Sequence, residues 1–331
     1  MANEIFKQIF EHLQKNNKDS GNFIILNENQ KIPIDQALFK TDFTETNKKI
    51  AFVDGGNGEL LSAPNFSLQF IRVYGSIFSG SKIVKRELQE FYAVVNTTKK
   101  EGKIVYEAKT FNSNFEINLD FDLNDSTLAS QNHAVKPSAI AEAIRKFAEI
   151  KMAAKMCDYL EQEDVLVKDG ELMPRLTFET KFTEELFILA KNKNINLCGL
   201  SKTTTLLTDT GNSAIAALNN LNSEGIWQYL PEQNSEIKIG FVKLAKKTNY
   251  AFRIDLLNAN AMPSIFSLLS KNSTDPSFLG YPYGLVEADL RARVSREECS
   301  SLRIHFLTKF GEPFKQNLSA IDAHDILNVI R

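Results

Sequence analysis

The stretch Ile50-Ala51-Phe52-Val53-Asp54-Gly55-Gly56-Asn57-Gly58 decides how the chain folds, because a short apolar run there meets an acid and a cluster of glycines. Ile50, Phe52 and Asp54 share one face at period two, as in a strand. Asp-Gly is a strong turn signal, so the strand is expected to end at Asp54. Downstream, runs rich in Val, Ile, Phe and Tyr recur at Phe66 to Phe78, Glu90 to Val95 and Ile104 to Phe111. Polar or glycine-containing breaks such as Thr97 to Gly102 separate them, which reads as antiparallel strands.

A different pattern then begins. Pro137 opens a stretch to about Gln162 that is rich in Ala, Glu, Lys, Ile and Met and free of internal Gly and Pro, which predicts a helix. After it come a strand at Val165 to Val167, a helix at Thr183 to Lys191, a strand at Ile195 to Cys198 and a helix at Ser213 to Leu221. A hairpin is expected from Lys238 to Leu244 and Tyr250 to Leu257. The tail reads as a helix from Leu285 to Ser300, a strand at Leu302 to Phe306 and a last helix from about Ser319. This order predicts an α/β fold, a mixed sheet with flanking helices. No internal repeat or low-complexity linker divides it, so a single large domain over 46–331 is expected, preceded by an N-terminal helical extension over 1–45. In that extension Ile5, Phe6, Ile9, Phe10 and Leu13 form one apolar stripe, which either packs on its own domain or docks on a partner.

Composition bounds the function. The 331 residues carry 39 Lys+Arg against 41 Asp+Glu, a net charge of −2, so the protein does not coat nucleic acid by bulk charge. With 43% hydrophobic and 24% charged residues the chain is of ordinary globular type. The sequence shows neither a membrane span nor a secretory signal. Cys157, Cys198 and Cys299 are far apart and lack a CxxC spacing, against a disulfide framework or a cysteine zinc site; a reducing cytoplasm is expected.

Carboxylates are the candidate chemistry. Asp169, followed by Gly170, repeats at the end of the Val165 strand what Asp54 does at the end of the first. Each alone reads as a turn residue, but two acids at strand ends on one sheet edge fall where ligands of α/β sheets bind. Glu149 lies nearly opposite the main apolar face of the long helix, Ile140, Ala143, Ile144, Phe147, Ile150 and Ala154. A second apolar stripe, Met152, Ala153, Met156 and Leu160, continues from it, so the helix is expected to be covered on two sides with Glu149 at its inner edge. Such a charge must be paired or bind a metal, and Arg145, one turn earlier, offers an ion pair instead. Asp289 and Glu287 stand in the first turns of a later helix, where the dipole favours acids in any case. Acid on the first strand, acid on the helix after the meander, acid on the next strand and acid on a late helix is the order of metal-binding acids in ribonuclease-H-like nucleases.

These segments resemble the NurA nuclease family, partners of the hexameric HerA ATPase in prokaryotic DNA-end processing. The similarity runs from about Lys49 to Val294 and is carried by Ala51 to Gly56, by Arg145, Glu149 and Ala153, by Val165 to Leu172, by Gly199-Leu200-Ser201-Lys202-Thr203 and by Gly280-Tyr281-Pro282 through Asp289. Two positions depart from the family pattern: Asp289 stands where His is expected, and Glu171 where Ser is common. The resemblance implies a ribonuclease-H-like fold, a homodimer, and Mn²⁺-dependent cleavage of DNA, Mg²⁺ being possible, with 5′ to 3′ exonuclease and single-strand endonuclease activity. It implies Asp54, Glu149, Asp169 and Asp289 as metal ligands, with Lys202 and Tyr281 completing the site. The chemistry agrees: two cations about 3.5–4 Å apart activate a water and stabilise the leaving oxygen, and they need an all-oxygen ligand set. Lys202 supplies a point charge for a phosphate, and Tyr281 a hydroxyl for a phosphate or a ligand.

Other sites fare worse. Gly75 to Lys82 nearly imitates a phosphate-binding loop but reverses the final Lys and Ser and lies among strands. His12, His133, His305 and His324 show no zinc spacing; His324 reads as a solvated helix residue and His305 as a strand residue. A noncatalytic DNA-bridging module on the same scaffold is the rival class, against which all four acidic positions stand. A small-molecule phosphatase is the third, against which Lys82-Lys85-Arg86, Lys99-Lys100-Lys103, Lys243-Lys246-Lys247 and Arg291-Arg293-Arg296 favour a polymer.

Overall fold

The computed structural model describes residues 2–14, 20–129 and 134–310. In chain order the elements are α1 (Ala2–Gln14), β1 (Phe23–Asn27), β2 (Gln30–Pro33), β3 (Phe39–Lys40), β4 (Ile50–Ala63), β5 (Phe66–Ser79), β6 (Lys82–Lys100), β7 (Lys103–Phe111), β8 (Asn118–Asp122), α2 (Pro137–Met156), β9 (Val165–Asp169), α3 (Glu179–Asn192), β10 (Asn196–Ser201), β11 (Leu207–Thr208), α4 (Ala214–Leu221), β12 (Trp227–Tyr229), β13 (Lys238–Lys243), β14 (Phe252–Leu256), α5 (Met262–Asn272), α6 (Tyr283–Ala292) and α7 (Arg296–Phe310). The chain forms two compact units, one of Met1–Ile50, Glu163–Met173 and Asn196–Val286, the other of Ala51–Gln162, Pro174–Ile195 and Glu287–Arg331.

The first unit holds the strand order β3-β12-β13-β14-β10-β9, with β9 and β10 parallel and the other pairs antiparallel, and a small antiparallel sheet β11-β1-β2. Its sheet is therefore mixed. Trp227, Tyr229 and Phe241 are fully buried with Ile24, Ile32, Ala214 and Leu218. Among the described residues before residue 46 are helix α1, a 3₁₀ turn at Gln36–Leu38 and the strands β1, β2 and β3.

The second unit is a meander, β4-β5-β6-β7-β8, in which β5 and β6 make a long antiparallel hairpin from Phe66 opposite Asn96 to Ser79 opposite Lys82. The imitation phosphate loop is the tip of this hairpin, with Gly80 at positive φ in the turn. Helix α2 packs on β5, β6 and α3, with Phe147 stacked on Phe182 at 4.9 Å. Both of its apolar stripes are buried, as the pattern predicts, except that Ala154 is half-buried, and Glu149 is only 4% exposed. Its close approach needs Gly75, where a Cβ would lie 2.7 Å from Met156 Sδ.

Three expectations are corrected. Strand β4 does not end at Asp54 but runs through the glycines to Ala63. Gly55, Gly56 and Gly58 have no positive φ and make no turn. They are there for close packing: a Cβ would meet Glu149 Oε1 at 2.7 Å, the Ala292 carbonyl oxygen at 2.3 Å and Cys299 Sγ at 2.2 Å, respectively. The expected helix from Leu285 to Ser300 is two helices, broken at 293–295, where the Arg293 carbonyl accepts from Arg72 Nη1 at 2.7 Å and Ser295 Oγ accepts the Glu298 N–H at 3.1 Å. The same cap starts α7, with Glu297 and Glu298 in its first turn and Lys309 in its last. Leu302 to Phe306 is thus helical, the alternation there having no strand to pair with among the described residues, and His305 is a helix residue. The expected helix from Ser319 and His324 lie outside the described residues, as does His133.

Glu87 fastens β6 to the end of α2, accepting from Lys155 Nζ at 2.6 Å and Tyr159 Oη at 2.8 Å beside Lys85. Burial pushes its carboxyl up, but these donors outweigh it and hold the value down at about 2. The folded value lies below the ordinary 4.5, so the stabilisation is complete above pH 4.5, declines below it and is gone once about 2 is passed. Glu87→Gln is expected to cost about 1–2 kcal/mol at pH 7. Denaturant midpoints at pH 7, 5 and 3 check this: the gap to the parent chain should be equal at pH 7 and 5 and narrower at pH 3.

Candidate active site

In the second unit, β4 carries Asp54 and α2 carries Glu149, and both side chains reach Gly55. Asp54 is buried, and its Oδ1 accepts the Gly55 N–H at 2.7 Å. Glu149 pairs with Arg145, one turn earlier on α2, and Arg145 Nη1 also donates to the Gly55 carbonyl at 3.1 Å. Gly55 is therefore the meeting point: its missing side chain admits the Glu149 carboxylate, and its carbonyl holds the guanidinium. Pairing with Arg145 offsets the cost of burying Glu149, so the ion-pair reading is realised in this geometry.

Asp289 lies beyond the first turn of α6, which contains no acid, so the dipole explanation does not apply. Its carboxylate accepts from Arg293 Nη2 at 2.7 Å. Glu287, two residues earlier, is buried and accepts from Tyr74 Oη at 2.7 Å. Burial and this carboxylate together push the Tyr74 hydroxyl well above its ordinary value.

In the first unit, three sequence-predicted residues converge. Asp169 ends β9, and here the turn reading is right, since Gly170 has φ +84°. Tyr281 Oη donates to Asp169 Oδ1 at 3.1 Å, and Lys202 Nζ lies 3.6 Å from Oδ2 and 5.6 Å from the Tyr281 ring centre. Tyr281 is also a packing aromatic, fully buried against Phe252 and Phe278.

What holds the Asp169 turn was not foreseen. Gly170 carries its carbonyl so close to β10 that a Cβ on Gly199 would meet it at 2.4 Å. Asp255 Oδ2 accepts the Leu172 N–H at 3.0 Å, and Arg253 donates to Asp255 at 2.8 Å and to Glu171 at 2.7 Å. Burial raises the Asp255 carboxyl against the pull of Arg253. The signal was present in Phe252-Arg253-Ile254-Asp255-Leu256, where two charges on one face interrupt an apolar strand and must be paired. Glu171, where the family pattern has Ser, is thus a partner of Arg253.

Both groups supply carboxylate oxygens without His or Cys, a donor type that fits a hard divalent cation. Among the described residues no set of three or more His, Cys, Asp or Glu is gathered as a metal site. No helix among them is long and apolar enough to cross a membrane.

A family model, the NurA domain, matches residues 48–294. No curated protein sequence matches the chain. Among solved structures it is similar to the NurA nuclease from Sulfolobus solfataricus, at 12% identity and a TM-score of 0.54 over 95% of each chain. Endonuclease V from Ciona intestinalis, in complex with a 24mer DNA, is more distant, at 12% identity and a TM-score of 0.42 over 77% of this chain and 87% of that one. The first of these shares the fold, and the family match spans most of the sequence, including every candidate residue: the chain belongs to the NurA domain family.

Proposed function

We propose that this chain is a metal-dependent DNA nuclease, a 5′ to 3′ exonuclease and single-strand endonuclease that works in DNA-end processing with a HerA-type hexameric ATPase. One observation carries the reading: in a chain of the NurA domain family, a buried glutamate is held at the residue that follows Asp54. Membership in the family and the name of the Sulfolobus relative, a nuclease, support it. A ribonuclease-H-like sheet, a homodimer and a cytoplasmic setting belong to the same proposal.

In this reading Asp54, Glu149, Asp169 and Asp289 hold Mn²⁺, or Mg²⁺, through oxygen. The bound cations supply charge to lower the pKa of a water and to stabilise the leaving oxygen. Arg145 orients Glu149 and balances its charge, Tyr281 orients Asp169 by its hydroxyl, and Lys202 draws in a phosphate. The α1 stripe supports a partner: Ile5, Phe6, Ile9, Phe10 and Leu13 are each about half exposed or more, so they do not pack on the described residues. A ring ATPase docked there would deliver the strand to a protein whose own charge attracts it weakly.

A second reading is favoured by the ion pairs that occupy Glu149 and Asp289, namely a scaffold that binds DNA without cutting it. Asp54→Asn and Asp169→Asn separate the two. Each is expected to lower Mn²⁺-dependent cleavage of labelled DNA by orders of magnitude, because an amide is a poor ligand, while the folded protein still binds DNA. Undiminished cleavage by either folded variant removes that residue from the site.

The Glu149–Arg145 pair is tested by metal-dependent stability as well as by rate. Arg145→Met leaves a buried carboxylate uncompensated, at a cost of about 3–5 kcal/mol. If Glu149 is a ligand, Mn²⁺ should raise the melting temperature of Arg145→Met more than that of the parent chain and leave that of Glu149→Gln unchanged. Cleavage rates with saturating Mn²⁺ should then fall by orders of magnitude for Glu149→Gln and much less for Arg145→Met. Equal, modest losses of stability with no response to Mn²⁺ would leave Glu149 as a helix ion-pair partner.

A further inference from the structure

Beside the Asp169 group the first unit contains a cavity of about 260 Å³, with Lys202, Thr203 and Thr204 on one wall and Asn249 and Tyr250 on another. Lys202 is shared between this cavity and Asp169. Tyr250 is unlike the other aromatics here, for its side chain is 55% exposed, whereas Phe252 and Tyr281 are buried. Its ring is nevertheless held, with its centre 5.5 Å from that of Phe278 in a perpendicular contact. Phe278 in turn stacks on Tyr281 at 5.1 Å, and Tyr281 donates to Asp169. An aromatic series thus runs from an exposed ring to the carboxylate, with a lysine alongside it.

The chemistry of the cavity matches one nucleotide. An exposed aromatic face offers stacking to any base, because every base has a π-face. Thr203, Thr204 and Asn249 offer hydroxyl and carboxamide groups to a base edge or a sugar, and Lys202 offers a charge to a phosphate. Lys246 and Lys247, both exposed, stand in the turn before Asn249. A base stacked between two neighbours in a duplex has no free face for Tyr250, whereas an unpaired base has one.

We infer that this cavity seats one unpaired nucleotide of the DNA strand, its base against Tyr250 and its phosphate at Lys202. The inference rests on the nuclease reading and deepens it: the strand engages this site through an unstacked, unpaired base.

Fluorescence anisotropy with the full chain in EDTA tests this, using a labelled oligothymidylate and a labelled strand of the same length made of abasic nucleotides. Tyr250→Ala should weaken the oligothymidylate about tenfold and leave the abasic strand unchanged, while Tyr250→Phe stays within about twofold of the parent on both. Lys202→Gln should weaken both strands alike and flatten the salt dependence. Three outcomes overturn the proposal: Tyr250→Ala binding oligothymidylate as the parent does, Tyr250→Ala losing both strands equally, or Tyr250→Phe failing like Tyr250→Ala. If the parent chain cuts DNA with Mn²⁺ while any of these holds, the subsite falls alone. Should the parent neither bind nor cut, the nuclease reading falls with it.

Discussion

Strand β4 is packed so tightly that three of its positions have no room for a side chain. A Cβ on Gly55 would collide with Glu149, one on Gly56 with the carbonyl at the end of α6, and one on Gly58 with Cys299 on α7. Interiors this dense do not deform continuously, so a methyl group at Gly55 would have to displace α2 or the glutamate it carries. The arrangement of the second unit follows from this: α2 covers β5 through Gly75, brings Glu149 to the backbone beside Asp54, and leaves Arg145 in reach of both the carboxylate and the Gly55 carbonyl.

Charge is handled locally throughout. Glu149 has Arg145, Asp289 has Arg293, Asp255 has Arg253, and Asp169 has Lys202 together with the Tyr281 hydroxyl. The buried pairs among them, Glu149 with Arg145 and Asp255 with Arg253, add little net stability, since desolvation cancels most of the attraction, but they fix geometry. That suits a chain of net charge −2 with a polyanion as its proposed substrate. Each acid is held in place by its own partner.

Much of this was legible in the sequence where several physical signals agreed. Helix α2 has Pro at its start, no internal Gly or Pro and two apolar stripes, and it is a helix buried on both sides. Strand β6 alternates between exposed and covered positions over much of its length, and Asp169-Gly170 is a turn because Gly170 takes the positive φ. Legibility failed where a residue's role is set by something distant in the chain. Gly55 and Gly56 read locally as a turn, but their reason is a glutamate and a helix end that come much later. Leu302, Ile304 and Phe306 alternate like a strand, yet the Ser295 cap decides for a helix. Lys202 and Tyr281 came from the family resemblance, and Arg253 with Asp255 from neither source.

The central claim is that these acids serve metal-dependent cutting of DNA, and the purified full chain tests it with DNA labelled at either end, single- and double-stranded, in EDTA and with added Mn²⁺. The account predicts no cleavage in EDTA, and with Mn²⁺ both shortening from the 5′ end and internal cuts in single strands. DNA that is bound but left intact with Mn²⁺ or Mg²⁺, or DNA cut equally well in EDTA, would contradict it.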